Sequence, residues 1–258
     1  MTPQHIELIQ STIPVLRQNG EMLTRYFYQR MLKHRPELKN TFNLDHQNSG
    51  RQPRALASAV LAYAEHIEDP TMLNKAIQHI STKHVSLNIQ PEQYTVVGEH
   101  LLHSISEVLK VPMDSEFIQA WKVAYLQLAD IFIQVEKQKY QEISTQNGGW
   151  SGWRMFEIIA IKQEENGEVF TVSAVDQKIT LTAKNNAFIS VKVKVPDQEI
   201  EQPYQYKIIT QPLNRQINNS YQFIVQPEIE HSEFSVSNIL LSHYKVGDQL
   251  QLTAPQAR

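Results

Sequence analysis

The sequence predicts a multidomain α and β protein: an all-α domain followed by an antiparallel β-barrel. Three observations predict it. Apolar residues recur every three to four positions through the first 140 or so residues. Two adjacent glycines, Gly148-Gly149, then mark a turn or linker. Beyond them, short β-branched and aromatic runs alternate with turn residues and no long helices intervene, which favours antiparallel pairing. The expected division is a helical domain at 1–140, a linker at 141–152 and a barrel at 153–258.

In the helical part, Pro3 suits a first turn, and Ile6, Ile9, Ile13 and Leu16 form the first stripe. Gly20 is expected to break it. Met22 to Leu32 resumes the period with an aromatic patch, Tyr26-Phe27-Tyr28, which Pro36 ends. Phe42 stands alone in an otherwise polar loop running to Gly50. A second long helix is expected from Gln52-Pro53, with Leu56, Val60, Leu61 and Tyr63 on its apolar side. Pro70 to His84 describes a shorter helix. Pro91 opens another, with Val97, Leu101, Ile105 and Val108 as its stripe, and the last runs from about Ser115 to Gln141.

The expected strands are Phe156 to Ile161, Val169 to Val175, Ile179 to Thr182, Phe188 to Val195, Tyr206 to Thr210 and Tyr221 to Val225. In Ser190-Val191-Lys192-Val193-Lys194-Val195 the valines point one way and their neighbours the other. One helical segment, Val236 to Tyr244, interrupts them.

Composition narrows the function. A length of 258 residues suits two domains, and a 41% hydrophobic fraction is ordinary for a soluble protein. A net charge of −3 predicts neither a nucleic-acid footprint nor attachment to an anionic membrane. No apolar run approaches the roughly 20 residues of a membrane span. The N-terminus lacks the basic start and apolar core of a signal peptide, so a cytoplasmic location is expected. With no cysteine there is no disulfide, no thiolate iron ligand and no iron–sulfur cluster.

Among ten histidines, His84 stands out by its setting. It ends a helix, a short loop follows, and a new helix opens at Pro91. A neutral imidazole is a good ligand for heme iron and needs an acceptor on its other nitrogen to hold its orientation. Tyr94, in the first turn of the next helix, and Glu136, far along the last one, are candidates for that support. A carboxylate–tyrosine–histidine chain would push electron density onto an iron. The alternative is a buried phenol and a solvated acid unrelated to each other. Tyr28, Gln52 and Leu56 are, by spacing alone, ordinary helix residues. Phe42 needs something to cover, which a porphyrin would supply.

The first 150 residues resemble the globin domain of bacterial flavohemoglobins along essentially its whole length. The resemblance rests on YFYQRML (26–32), PELKNTFN (36–43), Lys83-His84, PEQY (91–94), VGEHLL (97–102), FIQVE (132–136) and GGWSGWRMF (148–156), in the family's order and spacing. It implies heme b with His84 as the proximal iron ligand and Tyr94 and Glu136 as its hydrogen-bonded partners. It implies a distal pocket of Tyr28, Gln52 and Leu56, with Phe42 packed on the heme, and catalytic roles for Tyr28, Tyr94 and Glu136. Pro53, directly after the distal glutamine, departs from the pattern and puts the start of that helix in question.

Family members oxidise nitric oxide to nitrate with O₂, using electrons from NAD(P)H passed through FAD in a barrel of the ferredoxin-reductase type. Here the sequence departs. No G-x-G-x-x-G occurs, so NAD(P)H is not expected to bind this chain. The family's R-x-Y-S pattern, arginine toward the flavin phosphate and tyrosine and serine toward the ring, is represented by Tyr204-Gln205-Tyr206-Lys207. The glycine-bearing phosphate loop is represented by Ser232 to Ser237, where Glu233 would oppose a diphosphate. The family's P-G-Q-Y reads Asn185-Asn186-Ala187-Phe188. Arg154, Arg215 and Arg258 are the only arginines past the linker. FAD is therefore a doubtful cofactor, with Tyr206, Ser235 and Ser237 as its remaining candidate contacts.

The expected function is a heme globin that binds O₂ and NO and detoxifies NO with electrons from a separate reductase. A second reading is a heme-based gas sensor or scavenger whose barrel docks a partner protein. A third is a decayed or truncated reading frame.

Overall fold

The computed structural model describes residues 1–210, 219–228 and 232–257. Arg215 and Arg258 lie outside the described residues. No described helix is long and apolar enough to cross a membrane. The chain forms two compact units. The first comprises Met1–Leu38, His46–Ser81 and Gln90–Val135; the second comprises Lys39–Asp45, Thr82–Ile89 and Glu136–Arg258.

The helices are α1 (Pro3–Gln10), α2 (Ile13–His34), α3 (Leu44–Asn48), α4 (Arg51–Glu65), α5 (Asn74–Ser86), α6 (Pro91–Leu109) and α7 (Glu116–Ser144), with 3-10 turns at Pro36–Asn40 and Pro70–Leu73. In the first unit α2 packs on α4 and α6. Contrary to expectation, Gly20 does not break α2. It lies inside the helix, where a Cβ would stand 3.4 Å from that of Ala57 on α4, an ordinary contact distance. One turn on, the buried Thr24 hydroxyl donates to the Pro53 carbonyl at 2.8 Å, tying the same two helices. Gly98 on α6 is sterically required. A Cβ at that position would meet the Tyr125 ring of α7 at 2.3 Å, and the Tyr125 hydroxyl donates to the Tyr94 carbonyl.

The second unit holds β1 (Arg154–Glu164), β2 (Gly167–Ala174), β3 (Ala187–Lys194), β4 (Glu201–Thr210), β5 (Ser220–Val225), β6 (Gln249–Leu252) and β7 (Gln256–Ala257), with α8 (Val236–His243) before β6. Every pairing is antiparallel. The order is β4-β5-β2-β1-β6-β3-β7, and β4 also pairs with β3, which closes the sheet into a barrel. Closure leaves the central strands no open edge. The interior is filled by alternate residues: Phe156 and Ile158, Phe170 and Val172, Val191 and Val193, Tyr221 and Phe223, all at most 1% exposed. Each such side chain contributes about 1.5–3 kcal/mol relative to exposure.

Two local expectations fail for identifiable reasons. Ile179 to Thr182 is not a strand. Two of its backbone carbonyls are taken by side chains instead: Arg154 donates to Ile179, and the Tyr221 hydroxyl donates to Leu181. The loop after Phe42 is not wholly irregular, since it forms α3. There the amide of Leu44 donates to Oε1 of Gln202 at 2.7 Å, and Gln202 donates in turn to the Lys39 carbonyl.

Candidate functional site

His84 lies in the last turn of α5, which ends at Ser86, two residues later than expected. Its Nδ1 is 2.7 Å from Oε1 of Glu136 on α7. Glu136 is only 3% exposed. A buried carboxylate requires a hydrogen-bond partner, and the imidazole supplies one. With Nδ1 donating to the carboxylate, the neutral ring carries its lone pair on Nε2, the atom a metal would take. The carbonyl of His84 accepts from the amides of Leu87 and Ile89, both at 3.0 Å, closing the turn. Its neighbour Val85 is buried in a cluster with Ile143, Leu181 and Ala254. Tyr140 donates to the Ile89 carbonyl at 2.7 Å, and burial, followed by the Glu136 charge, keeps its phenol protonated. Phe42 is in the same unit and is half-buried.

Tyr28, on α2, belongs to the first unit and is 7% exposed. Burial raises its pKa, and hydrogen bonding from Gln52 and Gln47 opposes that rise, so the group is a neutral phenol at physiological pH. Pro53 does not displace Gln52. It is the third residue of α4, in the first turn, where a missing N–H costs no helical hydrogen bond. Gln52 therefore sits at the second helical position, and Leu56 follows one turn later, half-buried. Gln47 was not foreseen, because a glutamine in a polar stretch carries no signal of its own. Its Nε2 is buried and has no hydrogen-bond partner beyond the Tyr28 phenol. Tyr94 also lies in the first unit, in the first turn of α6. A reciprocal Gln90–Gln93 cap starts that helix, and the Tyr94 ring stacks on Phe132 at 6.3 Å.

The barrel candidates are brought together, but in contact with protein groups. The hydroxyls of Tyr206 and Ser237 are 3.0 Å apart, and both residues are buried. Burial, first of several causes, holds the Tyr206 phenol well above its usual pKa. Its ring stacks on Phe223 at 5.2 Å. Ser235 is the N-cap of α8, accepting from the amide of Asn238 at 3.3 Å. The same hydroxyl donates to Oε2 of Glu228 at 2.8 Å, while the Glu228 amide donates to the Asn238 side chain at 3.1 Å. A protein carboxylate thus stands at this helix N-terminus, the position that favours an anion. Among the described residues no group of three or more His, Cys, Asp or Glu side chains is placed to hold a bare metal ion.

Residues 25–132 match the family model Globin. A flavohemoprotein of Bordetella pertussis is 40% identical over 258 residues, covering 99% of this chain and 63% of that protein. Thus the chain spans about 63% of the length of the curated relative it matches. A bacterial globin from Campylobacter jejuni is 38% identical, with a TM-score of 0.52, over 54% of this chain and 99% of that one. The flavohemoglobin of Malassezia yamatoensis, solved with bound FAD and heme, covers all of this chain and 64% of its own at 23% identity, with a TM-score of 0.85. At that identity the likeness speaks for the fold, helical domain and barrel together. The globin match and the full-length similarity to flavohemoproteins together place the chain: it belongs to the flavohemoprotein family of globins.

Proposed function

We propose that the chain binds heme b through His84 and carries O₂ and NO chemistry of the nitric oxide dioxygenase type. The observation that carries this reading is the 2.7 Å hydrogen bond between His84 and the buried Glu136. Heme, when bound, supplies an iron that takes diatomic ligands and exchanges single electrons. The residues of the chain do the rest. Glu136 holds the imidazole in the tautomer that offers Nε2, and its charge strengthens that nitrogen as a donor. Tyr94 is assigned to the same proximal support. Tyr28 and Gln52 present hydroxyl and amide donors to the partial negative charge of a bound ligand, where water is excluded. The buried amide of Gln47, beside the same phenol, is assigned to that role with them. The family resemblance assigns Leu56 and Phe42 to the apolar surroundings of the heme.

One NO, one O₂ and one electron give one nitrate, so turnover needs a reductant. The proposal assigns that supply to a separate reductase. Two observations support barrel residues that do not hold FAD. Ser235 is engaged by Glu228, whose carboxylate would repel a diphosphate at the α8 N-terminus, and Tyr206 is satisfied by Ser237. On these contacts FAD stays a doubtful cofactor of the described barrel residues. The second reading, a gas sensor or scavenger whose barrel docks a partner protein, is supported by the same features, since the barrel keeps a filled core while Tyr206 and Ser235 bond protein groups. Reconstitution with heme, reduction, and addition of O₂ and then NO separates the two. Stoichiometric nitrate that continues only with an added reductase supports the dioxygenase. Ligand binding without sustained nitrate supports the sensor.

A further inference from the structure

The turn that carries His84 is gripped from the barrel side of its own unit. Ser86 is fully buried and makes three side-chain-mediated contacts. Its hydroxyl donates to the Lys83 carbonyl at 2.7 Å and accepts from Nε2 of Gln205 on β4. Its carbonyl accepts from the hydroxyl of Thr253, just after β6, at 2.8 Å. Thr253 is itself anchored, its amide donating to the Ser190 carbonyl at 3.1 Å. Val85, between His84 and Ser86, packs with Leu181 and Ala254. Strand β4 also holds the Phe42 segment. The Asn43 amide donates to the Pro203 carbonyl at 2.9 Å, the Asn40 side chain accepts from the Glu201 amide at 2.8 Å, and Gln202 bonds both Leu44 and Lys39.

We propose that β4 and Thr253 set the rotation of the last turn of α5, making Gln205 and Thr253 positioning residues for the His84 imidazole. The inference rests on the reading of His84 as the iron ligand. An imidazole two residues from Ser86 follows the rotation of that turn, and any rotation leaves a buried oxygen or amide unsatisfied. Glu136 fixes the ring from one side; the barrel fixes the backbone from which the ring projects. Such a role gives the barrel a function that needs no flavin.

The test is resonance Raman spectroscopy of the full chain, heme-loaded, ferrous and without added ligand, with heme transfer to apomyoglobin as a second readout. Variants are Gln205→Leu, Thr253→Val, Thr253→Ser and His84→Ala. In Q205L and T253V the iron–histidine stretching band shifts and broadens, and heme leaves about two- to tenfold faster, the factor carried by one net hydrogen bond. T253S, which keeps the hydroxyl, restores both. Lower melting temperatures in Q205L and T253V with an unmoved band overturn the proposal and leave a purely structural contact. If T253V does not fold, the half-buried Gln205 decides alone. A wild-type iron–histidine band in H84A defeats the ligand reading itself, a result separate from an unmoved band in Q205L.

Discussion

Nδ1 of His84 stands 2.7 Å from Oε1 of Glu136, and that carboxylate is 3% exposed. A carboxylate in so little water binds its partner far more strongly than one at the surface. The pair therefore fixes both the tautomer and the direction of the ring. Fifty-two residues separate the two in sequence, and two different helices deliver them.

Glu136→Gln keeps a hydrogen-bond acceptor but removes the charge. Heme is expected to stay bound while the iron's midpoint potential rises, because less electron density reaches it. NO turnover with a reductase falls by about ten- to 100-fold, the range for such supporting groups. Potentiometric titration alongside the nitrate assay checks both, and an unchanged potential contradicts the role.

Tyr28→Phe removes a buried hydroxyl that the Gln52 amide addresses. Oxygen dissociation is expected to quicken by about 1–3 kcal/mol, roughly five- to 150-fold. Stopped-flow displacement of O₂ by CO measures it. An unchanged rate would show that Tyr28 does not face the ligand.

Gln47→Leu has two opposite expected effects. It deletes a buried amide whose Nε2 has no partner beyond the Tyr28 phenol, so the heme-free protein is stabilised by about 1 kcal/mol. In the heme-loaded protein, O₂ leaves roughly two- to tenfold faster, the factor carried by one net hydrogen bond. Urea melts and the same stopped-flow assay read the two effects. A stabilised variant with an unaltered off-rate removes Gln47 from the pocket.

His100 makes the first unit sensitive to acid. Its ring is 4% exposed, and Nη1 of Arg30 lies 2.6 Å from Nδ1. Burial lowers its pKa, and the Arg30 charge lowers it further. The folded chain thus resists a proton that the unfolded chain accepts near its ordinary value of about 6.5. The sign follows: stability is lost as pH falls below about 6.5. Between pH 7.5 and 5, His100→Gln should lose stability less steeply than wild type in urea titrations; an equal slope contradicts this.

Glu228→Gln tests the flavin assignment. Wild-type protein is expected to quench FAD fluorescence only weakly, and the variant to bind more tightly because the opposing charge is gone. Flavin that copurifies with the wild type at one per chain contradicts the assignment.

Much of this fold is legible in the sequence, because both periods survive in it. The stripe of α6 and the alternation of Val191, Val193 and Val195 lead directly to the observed elements. What periodicity misses is decided by distant side chains. Gly20 reads as a break, yet α2 continues through it, packed on α4 and tied to it by Thr24. Ile179 to Thr182 reads as a strand, yet Arg154 and Tyr221 satisfy its carbonyls. In the site, His84 is visible from its setting and Glu136 through the family resemblance. Gln47, Glu228, Gln205 and Thr253 are not visible, since each acquires meaning only from the residue opposite it.

The central claim is that His84 holds the iron. The most direct test is the absorption spectrum of the full chain purified after heme supplementation, wild type beside His84→Ala. The account predicts a Soret band at one heme per chain for the wild type and its loss in the variant. Equal, stoichiometric heme in both proteins would contradict it.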